Sequence, residues 1–461
     1  MNPWRPRAGD LALHVGATRS YTQSVPVRLV GRFSSVRRGS RPVPKHIVIL
    51  SSLDTKGEEA KYLKDLIEAR GFKTLLLDTS IGREPTLAPD ISSEEVARLG
   101  GGNIQEIRAS RNTGQVTPIM IKGATLKVQE LAGKGLLDGI IAFGGASNTT
   151  SATTVMKSLP FGIPKLMVSS TASMPAYAAK YIGTKDITMM HSVVDISGLN
   201  DLTKAVLERA AGGICGMAAA SGGPVEPLST SPLIALTTFK FAEECGQHAM
   251  DLLEKKGYTV IPFHAQGIGD SAMEELIEQG LFRGVLDLVP AGVIEELLGG
   301  NRAAGPHRLE AAGRMGIPQV VTPCGFDMLS CGPSSRREAG DPLWTSLRLA
   351  ERKTFVPDEF RVAARTRGDE VCRVAEVTAR KLNESKGPVK FFVPTRGWSS
   401  LSTEGADLYE PVADALFAPA LKKHLRPDIE VSELPMELNS PEFAEVLVTA
   451  LDKMVKESLG D

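Results

Sequence analysis

The sequence predicts an α/β protein with two Rossmann-like domains, each built around a mostly parallel sheet, and a cleft between the two domains. Two observations carry this prediction. Apolar runs without strict alternation, typical of strands buried on both faces of a parallel sheet, are separated by amphipathic helical segments. The same succession of motifs also occurs twice, once on each side of a seam rich in Gly, Pro and Ser near residue 225.

The repeat is visible strand by strand. In the first half, residues 46–50 and 74–77 are apolar runs separated by an amphipathic segment, and residues 233–238 and 259–263 repeat that plan. The remaining equivalent pairs are residues 135–141 with 280–286 and residues 161–168 with 315–321. Because open parallel sheets bind ligands beside the carboxyl ends of their strands, we expect functional residues at those ends.

Charge and composition exclude several classes of partner. The chain has 461 residues with 53 basic and 54 acidic side chains, which gives no electrostatic reason to expect nucleic acid. No apolar run approaches the roughly 20 residues that span a bilayer, so we expect no membrane partner. Five irregularly spaced cysteines favour a reducing, cytoplasmic location. We therefore expect a small-molecule ligand, no metal-binding cysteine cluster, and a homo-oligomer.

The first 44 residues have a different composition from the rest. They contain eight arginines and a single acid, Asp10, which is the character of an organelle transit peptide or of a disordered tail. An organelle matrix is therefore the alternative location. The expected organisation is this tail, a nucleotide-binding domain over residues 45–220, a linker over residues 221–232 and a second α/β domain over residues 233–458.

Three turns at strand ends in the first half hold the candidate binding residues. The first turn contains Asp54, Thr55 and Lys56 at the start of a helix, where α/β proteins hold phosphate or carboxylate groups. Lys56 offers a positive charge to an anion, and Asp54 offers a carboxylate to a ribose hydroxyl or a metal ion. The alternative is structural, because Thr55 and Glu58 also fit a capping box that begins the helix.

The second turn follows a strand over residues 139–142 and precedes a helix predicted over residues 153–159. Paired glycines let the backbone approach a phosphate, although they also serve as a plain connection. The third turn is rich in hydroxyl groups, which either complete this phosphate cradle or cap a helix. The candidate ligand residues are Gly144, Gly145, Ser147, Asn148 and Thr149 in the second turn and Ser169, Ser170 and Thr171 in the third.

The second half supplies the candidate catalytic residues. Arg396 stands beside Gly397 after a strand, a setting suited to bidentate recognition of a carboxylate or phosphate, or to bonding nearby carbonyls in a tight turn. Asp327, near another strand end, offers a general base or a magnesium ligand. His264 ends a strand beside a glycine turn and is the histidine best placed for acid/base work.

Several motifs resemble those of one known family. They are residues 165–169, 193–200 and 210–217 in the first half and residues 325–328, 393–399 and 438–444 in the second. These motifs are similar to those of a two-domain ATP-binding family of uncharacterised bacterial, fungal and plant proteins, typified by a plant tobamovirus-resistance protein. The resemblance implies Rossmann-like domains and ATP as the ligand. It implies no particular reaction. Mg²⁺ is a second candidate cofactor, separate from the resemblance.

Three functions are open on the sequence alone, and whether the protein is an enzyme is open with them. One is an ATP-binding protein that transfers a phosphoryl or acyl group to a small carboxylate held by Arg396. Another is a sugar-acid hydrolase or lyase that uses Asp327 and His264 without ATP. The third is a regulatory or inhibitory protein whose binding surface is stabilised by nucleotide. The sequence lacks the Gly-x-x-x-x-Gly-Lys-Ser/Thr motif of P-loop NTPases, and its first turn lacks the Gly-x-Gly-x-x-Gly of dehydrogenases.

Overall fold

The computed structural model describes residues 45–110, 112–220 and 231–460. The expected tail over residues 1–44 and all but the last two residues of the expected linker lie outside the described residues. The boundaries of the expected domains therefore stay predictions. No helix in the described part of the chain is long and apolar enough to cross a bilayer.

The first half is a parallel sheet with helices on both faces. In chain order its elements are β1 (His46–Ser51), α1 (Leu53–Glu68), β2 (Lys73–Asp78), α2 (Ser93–Gly100), α3 (Ile104–Ala109), α4 (Thr113–Gly133), β3 (Gly139–Gly144), α5 (Ala146–Lys157), β4 (Lys165–Ser169), α6 (Pro175–Ile182), β5 (Ile187–His191) and α7 (Asp201–Ala220). The strands pair in the order β2-β1-β3-β4-β5, all parallel. The order reverses between β1 and β3, which is where open α/β sheets bind ligands.

Alternate residues of β1 pack on opposite faces of this sheet. Ile47 and Ile49 belong to a buried cluster with α1 and α7, whereas Val48 and Leu50 belong to a buried cluster with α4 and α5. Burial on both faces explains why the strand is apolar at every position rather than at every second one. As a result, α1 and the α4–α5 pair lie on opposite sides of the sheet.

The second half repeats this design with additions. Its elements are β6 (Leu233–Thr238), α8 (Glu243–Lys255), β7 (Thr259–His264), α9 (Ile268–Glu278), β8 (Gly284–Asp287), α10 (Gly292–Leu298), α11 (Ala311–Met315), β9 (Gln319–Val321), β10 (Met328–Ser330), α12 (Ser335–Glu338), α13 (Pro342–Ser346), β11 (Thr354–Phe355), β12 (Ala363–Arg365), α14 (Gly368–Asn383), β13 (Val389–Pro394), α15 (Pro411–Asp414), α16 (Phe417–His424), β14 (Glu430–Leu434) and α17 (Pro441–Leu459). Six parallel strands pair in the order β14-β13-β9-β8-β6-β7, and β10, β12 and β11 form a small antiparallel sheet.

The two large sheets share strand order and matching hydrogen bonds. The order β7-β6-β8-β9 repeats β2-β1-β3-β4. The N–H of Ile140 in β3 donates to the carbonyl of Pro164 at 2.9 Å, and the N–H of Val285 in β8 donates to the carbonyl of Pro318 at 2.9 Å. Both prolines belong to the Gly-Ile-Pro motif that the sequence repeats. The predicted fold class, an α/β protein with two mostly parallel sheets, is confirmed.

The two halves contact each other through α9. Glu275 accepts a hydrogen bond from Thr184 Oγ1 at 2.7 Å and pairs with Lys185 Nζ at 2.6 Å. The side-chain oxygen of Gln279 accepts from the N–H of Phe161 at 3.1 Å. These polar contacts tie α9 to the segment before β4 and to the segment between α6 and β5.

Candidate functional site

A cavity of about 490 Å³, here called the switch cavity, lies beside the point where the strand order of the first sheet reverses. Residues of β1, β3 and the loop after β2 line it, together with α4 from its start to Ala124 and α5 from its first turn to Val155. None of its described lining residues is Asp, Glu, Lys, Arg or His. Its polar lining residues are Ser51, Ser52, Thr79, Thr113, Thr117, Ser147, Asn148, Thr150 and Ser151.

Two helices begin at the switch cavity without a capping side chain. Helix α4, of 21 residues, follows Asn112, and helix α5, of 12 residues, follows Gly145. Neither of these residues forms a side-chain cap hydrogen bond. The N–H groups of a first helical turn lack partners within the helix, and the helix dipole adds partial positive charge there. Two such helix ends on one cavity are suited to an anion such as a phosphate.

Gly144 shapes the turn that leads into α5. Its φ of +146° lies in the region that favours glycine. A Cβ at this position would lie 2.8 Å from the Cβ and Nδ2 of Asn148. Asn148 lines the cavity, and its Oδ1 accepts a hydrogen bond from Ser52 Oγ at 3.4 Å. Glycine therefore allows the close approach that places the Asn148 side chain in the cavity wall.

Two buried polar atoms at the end of the sheet have no partner among the described residues. Ser51 is 2% exposed and lines the cavity, and its Oγ forms no hydrogen bond with any of them. Asp78, its neighbour in β2, accepts from Leu53 N at 3.1 Å and Ser80 N at 3.0 Å through Oδ1, whereas Oδ2 accepts none. Buried polar atoms are nearly always paired. Ser51 Oγ therefore marks the cavity wall as a place for a ligand group.

The hydroxyl-rich turns form a buried chain of hydrogen bonds instead of lining the cavity. Thr149 Oγ1 donates to the Gly145 carbonyl at 2.8 Å and lies 2.7 Å from Ser169 Oγ, which accepts from Thr171 N at 3.1 Å. These bonds join the end of β4 to the start of α5. Ser170 beside them is half-buried. Of the candidates in the second and third turns, only Ser147 and Asn148 are lining residues; the ligand roles of the others stay predictions.

The helix expected over residues 153–159 begins earlier, at Ala146. That part of the prediction was wrong, because the Ser- and Thr-rich segment from Ser147, which is typical of a loop, is helical in the structure. In the structure these hydroxyls are satisfied within the helix: Thr149 Oγ1 donates to Gly145 O, and Thr150 Oγ1 donates to Ala146 O at 2.9 Å. Ser147 and Asn148 therefore belong to a first helical turn.

The capping box that Thr55 and Glu58 offered as an alternative does not form. Helix α1 already begins at Leu53, whose N–H donates to Asp78 Oδ1 at 3.1 Å. Thr55 Oγ1 instead donates back to the Ser52 carbonyl at 3.4 Å. The start of α1 is thus satisfied by a side chain from β2, a partner that no local sequence pattern identifies.

Asp54 and Lys56 make contacts away from the switch cavity. Asp54 Oδ2 accepts from the N–H groups of Gly82 and Arg83, both at 3.2 Å, and so holds the loop after β2. Lys56 Nζ donates to the carbonyl of Ile196. Helix α1 lies on the opposite face of the sheet from α4 and α5, and neither side chain lines the cavity. Their ligand roles stay predictions.

In the second half, the equivalent reversal point is filled by a group of buried charges, here called the Arg308 cluster. Arg308 is 1% exposed. It bonds Asp270 Oδ1 through Nε at 3.0 Å, Glu274 Oε1 through Nη1 at 3.0 Å, and both oxygens of Asp287 at 2.6 and 2.7 Å. Thr237 Oγ1 in β6 donates to Asp287 Oδ1 in β8 at 2.8 Å, which places the cluster between those strands.

The protonation of this cluster follows from its burial. Burial lowers the pKa of Arg308, but Asp287 and Asp270 outweigh it and hold that pKa well above its usual value. Burial raises the pKa of Glu274, and Arg308 opposes this change. Because the four bonds of the Arg308 guanidinium all go to carboxylates of the protein, we interpret the Arg308 cluster as structural.

The candidate catalytic residues lie apart from the switch cavity. Asp327 is 0% exposed, and its carboxylate accepts from Ser399 Oγ at 2.7 Å and from Gly325 N at 3.2 Å. Arg396 is exposed. His264 lines a separate cavity in the second half. The catalytic roles assigned to these three residues stay predictions.

Several residues of the switch cavity were missed in the sequence. Thr113 and Thr117 reach it from α4, and Thr79 reaches it from the loop after β2. A signal for α4 was present, because Asn112 precedes a long helical segment and Asn is a frequent N-cap residue. No comparable signal exists for Thr79, whose position depends on how the loop after β2 folds back on β1.

Comparison with known proteins identifies the family. Residues 45–222 match the N-terminal domain of the uncharacterised protein family UPF0261, and residues 231–455 match its C-terminal domain. A UPF0261 protein of Clostridium tetani is 37% identical, covering 89% of this chain and 99% of the relative. One of Rhizobium meliloti is 33% identical, covering 88% and 98%. The ToMV susceptible protein tm-1(GCR26) of Solanum lycopersicum is 29% identical, covering 89% of this chain but 56% of its own length.

Similarity to solved structures is much weaker. The UDP-GlcNAc 2-epimerase of Methanocaldococcus jannaschii, in complex with UDP-GlcNAc and UDP, has 9% identity and a TM-score of 0.22, covering 89% of this chain and 92% of the epimerase. A TM-score this low carries no argument about fold or function. The sequence relatives include the plant protein expected from the motifs, so the predicted family is confirmed. The chain belongs to the uncharacterised protein family UPF0261 and contains both its N-terminal and its C-terminal domain.

Proposed function

We propose that the first half binds a nucleotide, with ATP as the expected ligand, in the switch cavity. The observation that carries the proposal is the start of two uncapped helices, α4 and α5, at one cavity beside the reversal point of the sheet. Ser51 adds independent support, because it lines the same cavity and its buried Oγ has no partner among the described residues. The volume of about 490 Å³ lies in the usual range for small-molecule sites.

The lining divides into parts that suit the two ends of a nucleotide. First-turn amides and the side chains of Ser147, Asn148 and Thr113 offer hydrogen-bond donors to phosphate oxygens. Ile81, Met120 and other apolar residues form a surface for a nucleobase. Because no described lining residue is basic, the charge of the phosphates is met by helix dipoles and by a cation that the nucleotide carries. We therefore expect the Mg²⁺ complex of ATP to bind better than ATP alone.

A role as a bound stabilising ligand fits this lining better than a role as a substrate. No described lining residue is Asp, Glu, Lys, Arg or His, so the cavity offers no side chain with an ordinary acid/base role. This favours a nucleotide-stabilised binding protein over phosphoryl or acyl transfer. An assay of phosphate release from Mg-ATP by the full chain distinguishes these two functions. We expect ATP to bind without phosphate release, and sustained release would favour phosphoryl or acyl transfer.

The binding test uses a charge placed at the start of α5. Ser147→Glu puts a carboxylate in the first turn, where the helix dipole favours it, so the variant should fold as well as the wild type. The same carboxylate repels phosphate, and we expect ATP affinity measured by calorimetry to fall by on the order of tenfold or more. Thr154→Glu, an exposed position on α5 outside the cavity, is the matched control and should bind ATP normally.

Two outcomes would contradict the proposal. The first is that the wild-type chain binds none of ATP, ADP and NAD with or without Mg²⁺, which would leave the switch cavity without a nucleotide role. The second is that Ser147→Glu binds ATP as the wild type does, which would place the nucleotide elsewhere. In the expected case, ATP at about 100 times its wild-type dissociation constant stabilises the wild type by roughly 2.7 kcal/mol, and a tenfold loss of affinity reduces this gain to about 1.4 kcal/mol in Ser147→Glu but not in Thr154→Glu.

A further inference from the structure

A second cavity, here called the Lys240 cavity, lies in the second half and has a volume of about 360 Å³. It opens between the carboxyl ends of β6 and β7 and the small antiparallel sheet: Lys240 follows β6, His264 ends β7, and Phe355 lies in β11. It shares no lining residue with the switch cavity. None of its described lining residues is acidic. Its chemistry is therefore independent of any nucleotide bound in the first half.

Among the described residues that line the Lys240 cavity, Lys240 is the one lysine or arginine without a carboxylate partner. Arg302 lines it but is held by Glu295, whose Oε1 accepts from Arg302 Nε at 2.8 Å. Arg361 lines it but is held by Asp358 at 2.6 Å. Lys240 is exposed and forms no hydrogen bond or ion pair with a described residue. A ligand with a single negative charge is the match for this arrangement.

Two more polar side chains at the cavity supply hydrogen bonds. The imidazole of His264 is exposed at the end of β7 and makes no hydrogen bond with a described residue. Gln266, two residues on, also lines the cavity and is exposed. Together with Lys240 these groups allow an oxyanion to be bound by charge and by directed hydrogen bonds at once.

Another part of the Lys240 cavity, here called the aromatic wall, is lined by aromatic, apolar side chains. The rings of Phe239 and Phe241 have centroids 5.3 Å apart and lie at 88°, and those of Phe241 and Phe355 are 5.5 Å apart at 89°. All three line the cavity, and Arg302 Cζ lies 5.6 Å from the centre of the Phe239 ring. Edge-to-face rings at these distances are favourable packing partners for another ring.

From this combination, we propose that the Lys240 cavity binds a small monocarboxylate that carries an aromatic ring. The carboxylate is held by Lys240 and His264, and the ring packs on Phe241 and Phe355. Since Lys240 is the one described lining residue with an unpaired positive charge, the cavity favours a monocarboxylate over a phosphate dianion. The aromatic wall favours a ring over the hydroxyl-covered body of a sugar acid, whose hydroxyls would lose their hydrogen bonds there.

Calorimetric titration of the full chain with benzoate tests the proposal. We expect benzoate to bind more tightly than three comparison ligands. Gluconate has a carboxylate but no aromatic ring, and benzyl alcohol has the ring but no charge. Inorganic phosphate has no ring and carries more than one negative charge. Lys240→Ala should weaken benzoate roughly tenfold, the value of one charge-assisted hydrogen bond. His264→Ala should weaken it by a similar factor. Lys423→Ala, an exposed lysine on α16, is the matched control and should leave binding unchanged.

The variant Phe241→Leu tests the contribution of the aromatic wall separately from that of the positive charge on Lys240. It keeps an apolar side chain, so the chain should fold, and thermal midpoints of all variants check this. Benzoate binding should weaken while binding of acetate, which has no ring, should stay as weak as in the wild type. The proposal is overturned if benzoate does not bind at millimolar concentration, if Lys240→Ala binds it as the wild type does, or if gluconate or phosphate binds more tightly than benzoate.

Discussion

Replacing Arg308 by methionine should severely destabilise the second half. The side chain makes four bonds, to Asp270, Glu274 and both oxygens of Asp287, and is 1% exposed. Arg308→Met keeps much of the volume but leaves three carboxylates in the buried site without their common cation. Breaking a buried ion pair in this way costs about 3–5 kcal/mol, because the remaining charge is uncompensated.

The expected loss of folding stability in Arg308→Met is large enough to measure by thermal unfolding. For a unit of about the size of the second half, it corresponds to a fall in thermal midpoint of roughly 6–20 °C. Arg314→Met is the matched control, since Arg314 also pairs with two glutamates, Glu278 and Glu310, but is 42% exposed. Partly exposed pairs contribute at most about 1 kcal/mol, so the control should lie close to the wild type.

The pH dependence of the loss gives a second, independent check. Burial raises the pKa of Glu274 and Arg308 opposes that rise, so without the guanidinium the folded variant keeps a proton on Glu274 that the unfolded chain has lost. Stability of the variant therefore increases as the pH falls, and its deficit against the wild type should be smaller at about pH 5.5 than at about pH 7.5. A midpoint within about 2 °C of the wild type, or a deficit that grows on acidification, would refute our view of the cluster.

Three further predictions concern stability and reactivity. Gly212→Ala should stabilise the chain by about 0.5–1 kcal/mol in urea denaturation, because Gly212 lies inside α7 and a Cβ there meets nothing within 4 Å; a loss of stability would contradict this. Iodoacetamide at about pH 8 should label half-buried Cys372 before Cys245, since burial raises the pKa of Cys245 to about 12, and mass spectrometry of peptides reads the order. Burial raises the pKa of Asp414 to about 7 against the opposing effect of Arg365, so stability contributed by its proton is lost as the pH rises towards and through 7. Asp414→Asn should therefore show a flatter thermal midpoint between about pH 5 and pH 8, and an unchanged slope would count against the shifted pKa.

The fold could be predicted from the sequence because its parallel strands are buried on both faces. Residues such as Ile47 and Val48 must both be apolar when helices cover the two sides of β1, and that pattern is readable without the structure. The repeated Gly-Ile-Pro motif was equally informative, since Pro164 and Pro318 accept the same hydrogen bond in the two sheets. Helix starts were less predictable: α5 begins within a Ser- and Thr-rich segment whose hydroxyls bond backward along the helix.

The switch cavity was predictable in part. Its position at strand ends follows from the α/β topology, and Ser147 and Asn148 were identified as candidates. The contribution of α4 and of Thr79 depends on contacts between segments distant in sequence, which local patterns do not encode. Asp54 and Lys56 had the right residue types, but the face of the sheet on which α1 packs directs them to Gly82 and Ile196.

Together with the proposed nucleotide site in the switch cavity, the Arg308 cluster leads to an expected stoichiometry. Two sheets of the same strand order suggest two equivalent sites, and a titration would then end at two molecules per polypeptide. In the second sheet, however, the position equivalent to the switch cavity holds the guanidinium of Arg308, which bonds Asp287 between β6 and β8. Saturation should therefore be reached at one nucleotide per polypeptide, and this ratio should hold for every number of chains in an assembly.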